Sequence, residues 1–210
     1  MSPSTGSLRG PDFFLVGAPK CGTTAMADYL SQHPEIGMCE RKETHQFAPD
    51  LHARMVKRDR TRRIPREQYL GWFASVQNRR RLGEASVWYL YSAEAPRRID
   101  EYRPDAQIVV MLRDPVQMLP ALHSEFVHQA IEPIEDFERA LALDEKRERD
   151  GAPRGFPPTS YRAAARYAEQ LERYFEVFGR DRVRVILYED FRDRTADEFS
   201  STCSFLGVAA

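Results

Sequence analysis

Eight consecutive residues carry the clearest chemical signal in the chain: Gly17, Ala18, Pro19, Lys20, Cys21, Gly22, Thr23 and Thr24. Two glycines with a lysine between them and two hydroxyls behind them suit a tight turn that opens a helix. Such a turn aims several backbone N–H groups at one point, at the positive end of the helix dipole, and so makes a ready anion site. A broader positive field lies downstream. Residues 41–81 hold 12 basic against 4 acidic side chains. That density either attracts an anionic ligand or forms a solvated arginine-rich face. Metal chemistry has no comparable signal: Cys21, Cys39 and Cys203 show neither C-x-x-C spacing nor histidines at zinc-like spacing. The same spacing argues against a disulfide scaffold and suits a reducing compartment.

The elements that must carry the loop follow from the apolar pattern. Residues 13–18 (FFLVGA) form a short apolar run bounded by Pro and Gly, which predicts a buried strand. Residues 24–33 predict a helix, with Met26, Tyr29, Leu30 and His33 at 3–4 spacing and Pro34 beyond its end. Further strands are expected at 36–39, 82–86, 107–112 and 183–187. Helices are expected at 65–76, 93–102, 116–130, 137–150, 160–178 and 196–206. Alternation of this kind predicts an α/β architecture, P-loop-like, with a mostly parallel sheet between helices on both faces. The Pro/Gly-rich residues 151–158 read as a surface connector or a mobile lid.

Composition sets the outer bounds. The 210 residues are 42% apolar and 30% charged, with 31 basic and 32 acidic side chains, and the length suits one domain over 1–210. Mean hydropathy is −0.58, and no apolar run approaches the ~20 residues of a spanning helix. The first ten residues lack the apolar core of a secretory signal. The expectation is therefore a cytoplasmic protein with neither a membrane nor a nucleic acid as partner.

The loop differs from the nucleotide P-loop, G-x-x-x-x-G-K-[ST], in one respect: Thr23 follows Gly22 where lysine should stand, and the lysine has moved inside, to Lys20. It resembles the P-K-x-G-T-T loop of sulfotransferases, which bind 3′-phosphoadenosine 5′-phosphosulfate (PAPS). Gly83-Glu84-Ala85-Ser86 with Tyr89 is similar to the family's second landmark, and the strand running into Arg113-Asp114-Pro115-Val116 to its third. Residues 167–174 and 183–191 complete the order. The resemblance spans residues 13–206 and points to bacterial relatives of the heparan sulfate and carbohydrate sulfotransferases.

That resemblance implies roles. Pro19, Lys20, Cys21, Gly22, Thr23 and Thr24 would hold the 5′ end of PAPS, with Lys20 also stabilising the transferring sulfonate. Arg113 would bind the 3′-phosphate, for which a fixed fork of charged donors is suited. The family's serine eight positions further on is replaced by Ala121, and Ser124, one helical turn later, is the expected substitute. Residues 41–47 (RKETHQF) resemble the K-E-x-H-x-F segment, which makes Glu43 the general base and has His45 orient it or touch the acceptor. His123 is a second candidate base, although on the helix after Arg113 a structural role is expected. Ala85 stands where heparan-type relatives often carry lysine, and the family's basic, Gly-containing terminal loop has no counterpart up to residue 210. No metal is required, and the acceptor would be a small molecule or a glycan. Two other readings stay open: a degenerate P-loop nucleotide kinase or ATPase, and a truncated, non-catalytic nucleotide-binding relative.

Overall fold

The computed structural model describes residues 8–51, 64–149 and 160–209. Five strands form one parallel sheet: β1 (Phe13–Gly17), β2 (Ile36–Met38), β3 (Arg81–Ala85), β4 (Gln107–Leu112) and β5 (Val183–Leu187), in the spatial order β2-β3-β1-β4-β5. The helices are α1 (Thr23–Gln32), α2 (Arg66–Gly71), α3 (Ala95–Tyr102), α4 (Pro115–His128), α5 (Phe137–Ala142), α6 (Asp144–Arg149), α7 (Tyr161–Ala164), α8 (Tyr167–Phe178), α9 (Tyr188–Asp193) and α10 (Thr195–Phe205). Parallel strands need crossovers that cover the sheet, so its centre must be apolar on both faces. Phe13, Phe14, Leu15 and Val16 of β1 and Ile108, Val109, Val110 and Met111 of β4 are all completely buried.

The topology places the site. From β1 the chain moves outward to β2 and back to β3, then crosses to the other side of β1 for β4 and β5. Leu15 pairs with Ala85 on one side and Val109 on the other. The strand order therefore reverses at β1, and a crevice opens beyond its carboxyl end. The Gly17–Thr24 turn, the start of α4 and the segment after β3 all converge there.

The strands at 107–112 and 183–187 fall where the apolar pattern puts them. Three expected helices are broken. The one expected over 137–150 is interrupted at Leu143, where the chain turns so that the buried Asp144 carboxylate accepts from the Tyr161 and Arg162 N–H groups. The one expected over 160–178 is broken at Ala165 and Arg166. There the Gln170 side chain bonds the Ala163 and Ala164 carbonyls (2.9 and 3.4 Å) that a continuous helix would bond through its backbone. The helix expected over 65–76 is α2 followed by a 3₁₀ turn at Ala74–Val76. The 151–158 loop and most of the basic run after Leu51 lie outside the described residues. Among the described residues, no helix is long and apolar enough to cross a membrane.

Candidate active site

Three residues of the 17–24 turn have positive φ: Gly17 (+149°), Lys20 (+61°) and Gly22 (+84°). A Cβ on Gly17 would lie 2.5 Å from the Val87 carbonyl oxygen, so β1 meets the turn after β3 only through a glycine. Gly22 is the N-cap residue of α1; among the described residues no side chain caps that helix, and its first turn holds no acidic residue. The leading N–H groups and the dipole end thus face the crevice without a competing carboxylate from their own helix.

Cations flank this turn. The Lys20 ammonium lies 2.7 Å from Glu125 Oε2, with both side chains about a third exposed (36% and 38%). Lys42 Nζ donates to Thr24 Oγ1 at 2.6 Å. Arg113, just beyond β4, lays its guanidinium 4.7 Å from the centre of the Tyr188 ring and donates to Gln117 Oε1 at 3.2 Å. Its buried Nε has no hydrogen-bond partner among the described residues. Cys21 turns away: its Sγ donates to the Pro19 carbonyl and sits 3.8 Å from the Tyr167 hydroxyl. Burial pushes that thiol up to about 12, so it is an uncharged packing group that offers only backbone to the turn.

Glu43 and His45 arrive from the opposite side. Both have positive φ, +57° and +51°. Glu43 Oε2 accepts from the Val87 N–H at 3.0 Å and lies 3.6 Å from His45 Nε2. Burial pushes the Glu43 carboxyl up to about 7, against the pull of the Val87 N–H and Lys42. A carboxyl tuned to that range can take a proton from a neighbouring group near neutral pH. A cavity of about 650 Å³ brings Lys20, Glu43, His45, Trp88, Glu125 and Tyr188 onto one wall system.

Pro19, Gly22, Thr23 and Thr24 line the same cavity. Ser124 does not: it is exposed on α4, whereas the cavity face of that helix is Leu122, Glu125, Phe126 and Gln129. Adjacent residues on a helix point about 100° apart, which takes Ser124 off the face that carries Glu125. Ser124 instead shares a stripe with Gln117, the partner of Arg113. His123 is buried, bonds the Ile134 carbonyl through Nε2 at 2.8 Å, and packs against Phe137 and Tyr161. Two carboxylates near the cavity were not singled out from sequence. Glu125 could have been found from the 122/125/126/129 stripe on one face of a helix that begins at Arg113-Asp114-Pro115. Glu84 stands inside a motif, but nothing in the sequence announces what it bonds. No cluster of three or more His, Cys, Asp or Glu suited to a metal ion occurs among the described residues.

Comparison with known proteins fits this geometry. A family model described as "Sulfotransferase family" matches residues 11–210. The chain is 31% identical over 156 residues to carbohydrate sulfotransferase 15 of Rattus norvegicus, covering 57% of this chain and 27% of that protein. It is 30% identical over 120 residues to heparan sulfate glucosamine 3-O-sulfotransferase 6 of Homo sapiens, covering 55% and 30%. The chain thus spans under a third of the length of these curated relatives. The crystal structure of a sulfotransferase from Alicyclobacillus acidocaldarius superposes with a TM-score of 0.84 at 36% identity, covering 96% of this chain and 82% of that one. Mouse sulfotransferase SULT7A1 complexed with PAP shares the fold at a TM-score of 0.56 and 16% identity, covering 96% and 61%.

Proposed function

Because the chain belongs to the sulfotransferase family, matched over residues 11–210, we propose that it moves a sulfuryl group from PAPS to a hydroxyl or amine of a small-molecule or glycan acceptor. One observation carries the reading. A carboxylate raised to about 7 and a lysine ammonium line one cavity at the mouth of an uncapped helix. The first can take a proton, the second can neutralise an anion, and the helix end can hold one.

The residues suit this donor. The open end of α1, with Lys20 and Lys42 beside it, matches a 5′-phosphosulfate. The unpartnered Nε of Arg113 and its fork over Tyr188 match a second phosphate. PAPS would supply an activated sulfuryl group, with adenosine 3′,5′-bisphosphate (PAP) as the leaving group. Glu43 accepts the proton that the acceptor oxygen must lose. His45, 3.6 Å from Glu43 Oε2, keeps that carboxylate turned to the cavity. Lys20 and the turn N–H groups set positive charge where negative charge grows, a contribution fixed before reaction begins. Leu122, Phe126, Val87 and Trp88 give the cavity an apolar side against which an acceptor's apolar part can pack.

Calorimetry with PAP, AMP and ATP–Mg²⁺ tests the reading. PAP should bind more tightly than AMP, because a charge-assisted contact from Arg113 to the extra phosphate is worth roughly 1.5–3 kcal/mol. Equal affinity for PAP and AMP sinks the donor assignment, and preference for ATP–Mg²⁺ supports the degenerate nucleotide loop instead. An acceptor screen with labelled donor sulfate then identifies the second substrate.

A further inference from the structure

The Gly83-Glu84-Ala85-Ser86 stretch takes no part in the chemistry above, and Glu84 does not line the cavity. Its side chain is completely buried. A carboxylate removed from water is costly unless its oxygens are well bonded. Among the described residues Glu84 has no ion-pair partner; it accepts instead from hydroxyls. Thr44, Ser86 and Tyr89 donate to Oε1 at 2.6, 2.8 and 2.8 Å, and Tyr69 donates to Oε2. Burial pushes this carboxyl upward, and those four donors pull it back.

What those hydroxyls do with their lone pairs is the informative part. Ser86 Oγ accepts the His45 N–H, Tyr89 Oη accepts the Phe47 N–H, and Thr44 Oγ1 accepts the Gln46 N–H, each at 3.2 Å. A hydroxyl has one hydrogen to give. By taking that hydrogen, Glu84 leaves each oxygen oriented as an acceptor toward the backbone of residues 45–47. Thr44 sits between Glu43 and His45, both in the left-handed region. Residues with side chains remain there only where their surroundings hold them. The Ala85 carbonyl, accepting from Glu43 N at 3.0 Å, adds a tether to the same stretch.

We propose that Glu84 is a positioning residue for the transfer: through the Thr44, Ser86 and Tyr89 hydroxyls it holds Glu43 and His45 in their strained conformation against the cavity. This rests on Glu43 being the base, as read above. The charged and titratable groups facing Glu43 are Lys42, His45, Glu84 and Glu125.

The test is a carboxyl ¹³C NMR titration of Glu43 in the full chain, with PAP calorimetry on the same proteins. Wild type should titrate at about 7. Thr44→Val, similar in shape but without the hydroxyl, should release the segment into water and lower the midpoint by at least one pH unit. Thr44→Ser should restore it, and PAP affinity should change less than about twofold in both. Glu84→Leu, close in size but with no oxygen to accept the Thr44, Ser86 and Tyr89 hydroxyl hydrogens, should reproduce the fall where it folds. A Thr44→Val midpoint equal to wild type overturns the proposal. So does a wild-type midpoint already in the ordinary carboxylate range, or a Thr44→Ser protein that behaves like Thr44→Val. Failure of all the proteins to bind PAP counts against the donor reading instead, and the Glu43 titration still decides the role of Glu84.

Discussion

The turn at residues 17–24 and the segment at residues 43–47 reach one cavity from opposite sides, and they are built in different ways. The turn takes its shape mainly from glycine and backbone bonding: Gly17 and Gly22 are at positive φ, and the Ala18 N–H bonds the Met111 carbonyl. Lys20 is its one residue with a side chain at positive φ, before a helix whose first N–H groups are left open. The segment also holds two residues at positive φ, yet neither is glycine. Its conformation is borrowed from hydrogen bonds to residues some forty positions away. A side-chain change in the turn should therefore alter chemistry and leave geometry. A change behind the segment should alter geometry without touching the cavity.

The sharpest way to break this contrast is Glu43→Gln. General-base assistance is typically worth ~10²–10⁴-fold, so kcat should fall by about that factor. PAP affinity should hardly move, since the turn is intact. His45→Ala should be milder if the imidazole only orients Glu43. A His45→Ala protein more damaged than Glu43→Gln would make the histidine the base. On the other wall, Lys20→Ala should lower kcat by about 10²–10³-fold, the usual cost of one lost transition-state donor. The melting temperature should stay close to wild type, because the turn is held by backbone. Lys20→Arg should rescue poorly, since a planar fork does not replace a compact ammonium in a tight turn. Loss of the fold on removing Lys20 would show that the turn is less self-sufficient than its backbone implies.

The same contrast explains what could be read from sequence. Gly17, Lys20 and Gly22 were legible because glycine spacing dictates local backbone, and local backbone is what binds an anion. The strand at 107–112 was legible because a continuous apolar run bounded by polar residues has one good home, the middle of a parallel sheet. The breaks at Leu143 and at Ala165–Arg166 were not, because they depend on Asp144 meeting the start of α7 and Gln170 meeting two carbonyls. Periodicity records which face is apolar, and it is silent about a side chain that terminates a helix elsewhere. Glu84 was hidden for a related reason. A buried carboxylate satisfied only by hydroxyls leaves no charge partner in the sequence to point at it. Ser124 was chosen as the residue one helical turn beyond Ala121, and it shares a stripe with Gln117, the partner of Arg113, while the neighbouring stripe that holds Glu125 faces the cavity.

A smaller effect follows from the Glu43 carboxyl at about 7. On the proposal that Glu43 is the base, its ionised form is the active one, so kcat should rise about tenfold per pH unit up to that value and then level. The effect on stability has the opposite sign. A carboxyl whose folded pKa is raised binds its proton more tightly in the native state, so this group's contribution is fully present below the unfolded value of 4.5 and is lost as pH rises toward about 7. Glu43→Gln should flatten that part of a melting-temperature profile. A profile unchanged by the substitution would mean that Glu43 titrates as an ordinary exposed carboxylate.

The smallest expected effect concerns Glu125, the carboxylate that occupies Lys20 at 2.7 Å. An anionic donor at the turn must share or displace that contact, so the pair opposes binding. Its worth is bounded by exposure: pairs about a third open to solvent contribute roughly 0–1 kcal/mol. Glu125→Gln should therefore tighten PAP binding by up to about fivefold. The gain should shrink in high salt, which screens exposed charges. If the carboxylate acts through Lys20, the gain should vanish in a Lys20→Ala background, so the double-mutant cycle measured by calorimetry isolates the contact. Tightening that persists without Lys20 would reduce Glu125 to a general negative charge near the cavity. Weaker PAP binding in Glu125→Gln would reverse the sign altogether, because the carboxylate would then be holding Lys20 toward the donor, and this wall too would depend on a side-chain tether.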